Sequence, residues 1–312
     1  MKRPLKPPAL RKGDSVCIVS PASASEAARL ERGCQELVRL GYRPVHTSSR
    51  LEPLGYFAGS TADRSAQLLE GMQREDARAV VCSRGGYGSN YLLDALDERL
   101  ADRPRILVGY SDITTLQIFL WQKLGWVTFY GPMAAAGLDA GAGAPGGYDA
   151  ESFTRALSET KGGWTINLLG EPLASGEAEG VLLGGCMTLV EATLATPWEL
   201  DLQGAIVILE DRAMKPYQVD RALMHLKQSG ELKDVRGIIL GEFPESAPSA
   251  AGSPSVADVC RRILGDMKIP VVWGAPFGHT QRPTLTLPLG VRARLRTAAQ
   301  GQLEILEPAV SP

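Results

Sequence analysis

From Ser15 to Pro132 the chain alternates short apolar runs with stretches of helical period: "SVCIVSP", "SEAARLERGCQELVRLG", "YRPVHT", "TADRSAQLLEGMQRED", "ARAVVCS", "SNYLLDAL", "RILVGYS", "ITTLQIFLWQKLG" and "WVTFYGP". Strand then helix, repeated, predicts a mainly parallel sheet covered on both faces, an α/β domain. Residues 137–149, "GLDAGAGAPGGYD", are rich in Gly and Ala and have no apolar period, so they read as a linker or surface loop. Beyond them the style changes. Short strand candidates ("GEAEGVLLGG", "AIVILE", "VRGIILGEF", "PVVWGAP", "TLTLPLGVRARLRT", "QLEILEP") accompany two clear helices, "QVDRALMHLKQSG" and "SVADVCRRILGDM". "ESAPSAAGSPS" reads as a flexible surface loop. The expected division is an N-terminal α/β domain over 1–136, a linker region over 137–175 and a C-terminal mixed α/β domain over 176–312. No internal repeat is visible.

Composition excludes several classes. With 312 residues, 44% hydrophobic and 22% charged, the chain can bury a sizeable core in one large or two medium domains. A net charge of -2 without a basic cluster offers no footprint for a nucleic acid polymer or an anionic membrane. The start, "MKRPLKPPALRKGD", lacks the apolar segment of a secretory signal, and no run approaches a membrane span, so a cytoplasmic location is expected by default. Cys17, Cys34, Cys82, Cys186 and Cys260 are odd in number and scattered without a Cys-x-x-Cys pair. They read as small buried hydrophobes, not as a disulfide framework or a zinc site.

Three places gather groups that chemistry uses. In open α/β sheets, sites form where strands end and loops enter helices. "ILVGYSDITTL" (106–116) places Ser111 and Asp112 at such an end, where Ser and Asp are also common helix caps. "VVCSRGGYGSNYLL" sets Gly85, Gly86 and Gly88 between a strand and a helix, where bare N–H groups can face a phosphate or an oxyanion; the dinucleotide and Walker spacings are absent. In the second half, "GAIVILEDR" ends a strand on Glu210 and Asp211, and "PVVWGAPFGHTQRP" puts His279 in a Gly and Pro loop. His46 follows a probable strand and His225 lies in a helix, so His279 has the setting that reactive groups favour. A serine hydroxyl is a poor nucleophile; it needs a histidine to take its proton and a carboxylate to orient the imidazole. Ser111, Glu210 and His279 supply one of each.

"RGGYGS" (84–89), "GYSDITTL" (109–116), "GAIVILEDRAMKPYQVDRALMHL" (204–226), "GIILGEF" (237–243) and "APFGH" with "LPLG" (275–290) together resemble the L,D-carboxypeptidase family of serine peptidases, from about Pro8 to Glu307. Known members include muramoyltetrapeptide carboxypeptidases and microcin-immunity peptidases. The resemblance implies an amidotransferase-like N-terminal domain bearing the nucleophile and a C-terminal domain bearing the acid and base. It implies a Ser111–Glu210–His279 triad and an oxyanion hole from the backbone N–H groups of Gly86 and Asp112. The activity it implies is release of the terminal D-alanine from murein tetrapeptides in cell-wall (peptidoglycan) recycling. Cleavage of an aminoacyl-nucleotide amide is the alternative, and a non-catalytic small-ligand binder the rival from another class. No cofactor or metal is called for, and a homodimer is a family expectation. Two positions depart from the pattern of many members: Cys186 stands where they carry Asn, and Met214 where they carry Glu.

A carboxypeptidase must also recognise a free C-terminus, and a guanidinium can hold a carboxylate through two parallel bonds. Arg84, beside the oxyanion glycine, is the first candidate. Arg212 and Arg282, two and three residues from Glu210 and His279, are the others.

Overall fold

The computed structural model describes residues 3–48, 51–96, 100, 103–248, 250, 252–298 and 300–312. The predicted alternation folds into strands β1 (Ser15–Val19), β2 (Arg43–His46), β3 (Ala77–Cys82), β4 (Ile106–Gly109) and β5 (Thr128–Tyr130), with helices α1 (Ala27–Arg39), α2 (Thr61–Gln73) and α3 (Thr114–Phe119) between them. All five strands pair in parallel, in the order β5-β4-β3-β1-β2. Why Val16–Val19 of β1 and Ala79–Cys82 of β3 are apolar without a break is visible in their packing. Val16 and Ile18 of β1 enter one core, while Cys17 and Val19 enter another on the opposite face; in β3, Ala79 and Val81 alternate with Val80 and Cys82 in the same way. Period-2 alternation between two buried faces leaves no polar position in those stretches, whereas the edge strand β2, Arg43–His46, is only partly buried.

The second sheet takes β6 (Trp164–Asn167), β7 (Glu171–Ala174), β8 (Gly176–Cys186), β9 (Ala205–Glu210), β10 (Gly237–Leu240) and β11 (Val271–Trp273). After β12 (Leu287–Leu289) it is completed by β13 (Arg292–Thr297) and β14 (Gly301–Ile305), in the order β6-β14-β13-β8-β9-β10-β11-β7. Its centre, β8 to β11, is parallel; its flanks are antiparallel. Helices α4 (Ala150–Ser158), α5 (Met187–Glu191), α6 (Pro216–Gln228) and α7 (Val256–Leu264) complete the α/β chain. β12 leaves this half and adds antiparallel to β5 at the edge of the first sheet. The two sheets share a core: Val16, Ile106 and Phe129 of the first and Ile206, Ile239 and Leu295 of the second belong to one buried cluster.

Residues 137–175 are not a linker. Tyr148 is buried and its hydroxyl donates to Glu36 Oε1 of α1 at 2.6 Å. Backbone bonds tie the Gly-rich segment to the chain ahead of β12, Gly146 N to Gln281 O at 2.8 Å and Thr284 N to Gly147 O at 2.9 Å. The remainder carries α4, β6 and β7, two of them strands of the second sheet. Composition hides this because a few side chains, Leu138 in the core, Asp139 on Arg29 and Tyr148 on Glu36, together with backbone groups, make the contacts. Two helical expectations also change: "SNYLLDAL" forms a 3-10 turn over Ser89–Ala95, and the helix after Ser111 ends in a five-residue π turn, Leu120–Leu124, stopped by Gly125 at φ 69°. All five cysteines are buried thiols. No helix among the described residues is long and apolar enough to cross a membrane. The loop expected over 245–255 is irregular where described; Ser249 and Ala251 lie outside the described residues.

Candidate active site

β4 ends at Gly109 and the chain turns sharply: Ser111 has φ 62°, a left-handed conformation that costs a residue with a Cβ about 1–2 kcal/mol. The capping role open to Ser111 is not used. Tyr110 holds the N-cap position, and the Ser111 hydroxyl makes no hydrogen bond among the described residues. The turn instead lifts the hydroxyl against the Gly-rich loop. A Cβ on Gly85 would lie 2.9 Å from Ser111 Cβ and 3.1 Å from its Oγ, so only glycine admits this approach.

That loop is clamped from three sides. Gly86 and Gly88 take φ of 114° and 123°, which a side chain would oppose. The Asp112 carboxylate accepts the Ser89 N–H at 2.8 Å and the Ser89 hydroxyl, binding the loop to the turn that carries Ser111. Buried Arg64 of α2 donates to Gly88 O at 2.8 Å and to Pro21 O at 2.5 Å, and Ser23 Oγ accepts the Tyr87 N–H at 3.2 Å. The N–H groups of Gly86 and Asp112 have no protein acceptor among the described residues. Burial pushes the Asp112 carboxyl above its ordinary value, with the bonds from Ser89 and Gly88 and the charge of Arg64 pulling the other way.

Glu210 and His279 come from the second half. Glu210 is the last residue of β9, aligned with Cys186 of β8, and is 0% exposed. Its Oε2 accepts two bonds from His279: the backbone N–H at 2.9 Å and ring Nδ1 at 2.8 Å. An ionised carboxylate there fixes the Nδ1–H tautomer and leaves Nε2 to accept a proton. Oε1 is taken by the Tyr130 hydroxyl at 2.5 Å, and Tyr130 Oη also receives the Ser111 N–H at 3.4 Å. The His279 side chain is 12% exposed, with Tyr110 edge-on at 5.2 Å.

Ser111 and His279 line one cavity of about 620 Å³, together with Arg84, Gly85, Gly86, Cys186 and Arg212. Its arginines differ in their partners. Arg29 is paired with Asp139 at 2.6 Å and Arg212 with Glu245 at 2.5 Å; Arg84 donates only to Ala24 O, at 3.3 Å, and has no carboxylate partner among the described residues. Arg282 is not among the cavity residues. It is held by Glu242 and Gly274 O, and Glu242 also takes the Thr280 hydroxyl, so the pair secures the loop that carries His279. Cys186 Sγ lies 3.4 Å from Asp211 Oδ2, which also accepts the N–H (2.9 Å) and hydroxyl (2.6 Å) of Thr188. Burial, then the charges of Glu210 and Asp211, push the Cys186 thiol well up, which makes it a poor nucleophile. Met214 is not among the cavity residues; it is partly buried against the core of the second half, with its Sδ 3.7 Å from Oγ1 of Thr188.

Tyr130, Arg64, Ser89 and Glu242 escape the sequence reading. Tyr130 closes an ordinary strand and Arg64 sits in an ordinary helix, so neither carries a local signal.

Residues 16–131 match the model of the LD-carboxypeptidase N-terminal domain, and residues 179–295 that of the LD-carboxypeptidase C-terminal domain. A Bacillus subtilis (strain 168) relative named "Probable murein peptide carboxypeptidase" is 34% identical, over 98% of this chain and 95% of its own. The crystal structure of muramoyltetrapeptide carboxypeptidase from Oxalobacter formigenes superposes with a TM-score of 0.83 at 30% identity, covering 96% of this chain and 100% of that one. The microcin C7 self-immunity protein in complex with aspartyl sulfamoyl adenosine superposes with a TM-score of 0.88 at 27% identity, covering 99% and 100%.

Proposed function

The chain belongs to the LD-carboxypeptidase family, and from that premise we propose that it is a serine peptidase that releases the terminal D-alanine from murein tetrapeptides. The observation that carries this reading is the buried Glu210 carboxylate bonded to His279 Nδ1 at 2.8 Å, with His279 and Ser111 on the wall of one cavity. His279 Nε2 takes the Ser111 proton as Oγ attacks the carbonyl of the L-configured residue. Glu210 stabilises the imidazolium. The free N–H groups of Gly86 and Asp112 face the oxyanion. His279 then protonates the departing D-amino acid, and water, deprotonated by the same ring, hydrolyses the acyl-enzyme. Arg84, the cavity arginine without a carboxylate partner, binds the free C-terminal carboxylate. Such an enzyme serves peptidoglycan recycling in the cytoplasm and needs no cofactor.

A second reading, hydrolysis of an aminoacyl-nucleotide amide, is favoured by the likeness to the self-immunity protein bound to aspartyl sulfamoyl adenosine. Incubating the protein with a murein tetrapeptide and with an aminoacyl-sulfamoyl-adenylate, read by mass spectrometry, decides between them. D-alanine release from the first supports the main reading; turnover of only the second transfers the assignment. Ser111→Ala abolishes turnover, and His279→Ala added to it costs little more, because residues of one catalytic unit are non-additive. Labelling of Ser111 by a fluorophosphonate excludes the ligand-binder alternative. For Arg84, wild type prefers the free acid over the C-terminal amide, and Arg84→Ala loses that preference.

A further inference from the structure

The two halves of the site meet at a tyrosine. Tyr130 ends β5 in the first sheet, whereas Glu210 ends β9 in the second and Ser111 follows β4. The Tyr130 side chain is fully buried, wedged edge-on against Phe277 at 6.1 Å and tilted against Tyr110 at 6.2 Å. Its one hydroxyl touches both halves: it donates to Glu210 Oε1 at 2.5 Å and accepts the Ser111 N–H at 3.4 Å. Each contact has a consequence. A carboxylate with no exposure must fill its acceptor sites from the protein. His279 fills Oε2 twice, so Oε1 depends on Tyr130. The bond also turns the carboxylate, because with Oε1 anchored Oε2 alone faces the ring. On the nucleophile side, the Tyr130 oxygen occupies the N–H of a residue in strained backbone, while the next N–H, that of Asp112, has no protein acceptor among the described residues.

We propose that Tyr130 is a positioning residue that joins the acid to the nucleophile turn across the two sheets, orienting Glu210 toward His279 and restraining its basicity. The inference rests on the serine-peptidase reading. Tyr130 stays a donor: burial, then the charge of Glu210, holds its hydroxyl well above the ordinary tyrosine value. The other titratable groups around the pair are Tyr110, Cys186 and Asp211, with Arg212 beyond; burial puts Tyr110 at about 12 and raises Cys186, so neither titrates with the pair.

A donor bond withdraws charge from a carboxylate. Removing it makes Glu210 more basic, strengthens its hold on the His279 proton and moves the acid limb of Ser111 reactivity to higher pH. The test is the rate of Ser111 labelling by a fluorophosphonate as a function of pH, which needs no substrate assignment. Tyr130→Phe keeps the ring and is expected to shift the acid limb upward and slow labelling roughly tenfold or more at its optimum. Replacement of Tyr130 by 3-fluorotyrosine keeps ring and donor but acidifies the hydroxyl, so the limb should move downward. A misfolding effect cannot give opposite shifts, and the fluorinated protein remains informative if the Phe variant does not fold. Labelling at Ser111 with one unchanged limb in wild type and the fluorinated protein overturns the role of Tyr130. Absence of labelling at Ser111 in wild type overturns the serine-peptidase reading itself, and with it this one.

Discussion

Replacing Arg64 by Met removes the guanidinium while keeping an unbranched apolar stem in α2. Arg64 is fully buried and satisfies three backbone carbonyls: Gly59 at 3.1 Å through Nε, and Pro21 at 2.5 Å and Gly88 at 2.8 Å through Nη1. Its guanidinium also lies 4.7 Å from the centre of the Phe57 ring. Each buried carbonyl left without a donor costs about 1–3 kcal/mol. The gain from no longer burying a cation, which pulls the Arg64 pKa down, offsets part of the sum. A net loss of roughly 2–5 kcal/mol follows, to be read from urea denaturation followed by tryptophan fluorescence. Function should suffer separately on the proposed mechanism, because the freed Gly88 carbonyl belongs to the loop whose Gly86 N–H is proposed to face the oxyanion. Loss of one such donor lowers kcat by about 10²–10³, and partial displacement should cost at least about tenfold, with KM nearly unchanged. Arg64→Lys should fall between, since one ammonium cannot reach carbonyls set around a planar fork. Stability within about 1 kcal/mol of wild type, or an unaltered kcat in folded Arg64→Met, would refute the reasoning.

At Ser111, Gly should be at least as stable as Ala, reversing the ordinary order in which Gly costs about 0.5–1 kcal/mol, because φ is 62° there; paired denaturation curves of the two variants check it. Asp112 has its folded pKa raised from 3.8 by burial, so the stability it contributes is complete below that value and declines as pH rises through the folded pKa. Wild type should therefore lose stability relative to Asp112→Asn as pH climbs from 3.8; a difference that does not change with pH contradicts this. Glu36 behaves oppositely: the Arg39 bonds, then that from Tyr148, hold its pKa below 4.5 against its burial, so its contribution is complete above 4.5 and fades as pH falls through the folded value. The advantage of wild type over Glu36→Gln should be largest near neutrality and shrink under acid, measured by thermal unfolding across that range.

The alternation from Ser15 to Pro132 was enough to define a parallel, doubly covered sheet, since continuous apolar runs separated by helical periods have few other solutions. Local chemistry also singled out the groups now found around one cavity: a serine after a strand, glycines with bare N–H groups, and a histidine in a Gly and Pro loop. Position in the chain could not tell which arginine lacks a carboxylate partner among the described residues. Arg84, Arg212 and Arg282 look alike in sequence, and only folding gives the last two to Glu245 and Glu242. Nor could composition reveal that Tyr148 is buried with its hydroxyl on Glu36 of α1, or that Leu287–Leu289 crosses to the first sheet. Element type is written in short-range periodicity, which a window of residues carries. The partners of Glu210 lie 69 and 80 positions away in the chain, so its two bonds to His279 and one to Tyr130 exist only where two sheets meet. Burial and pairing at that distance are properties of the packed core, and no local pattern encodes them.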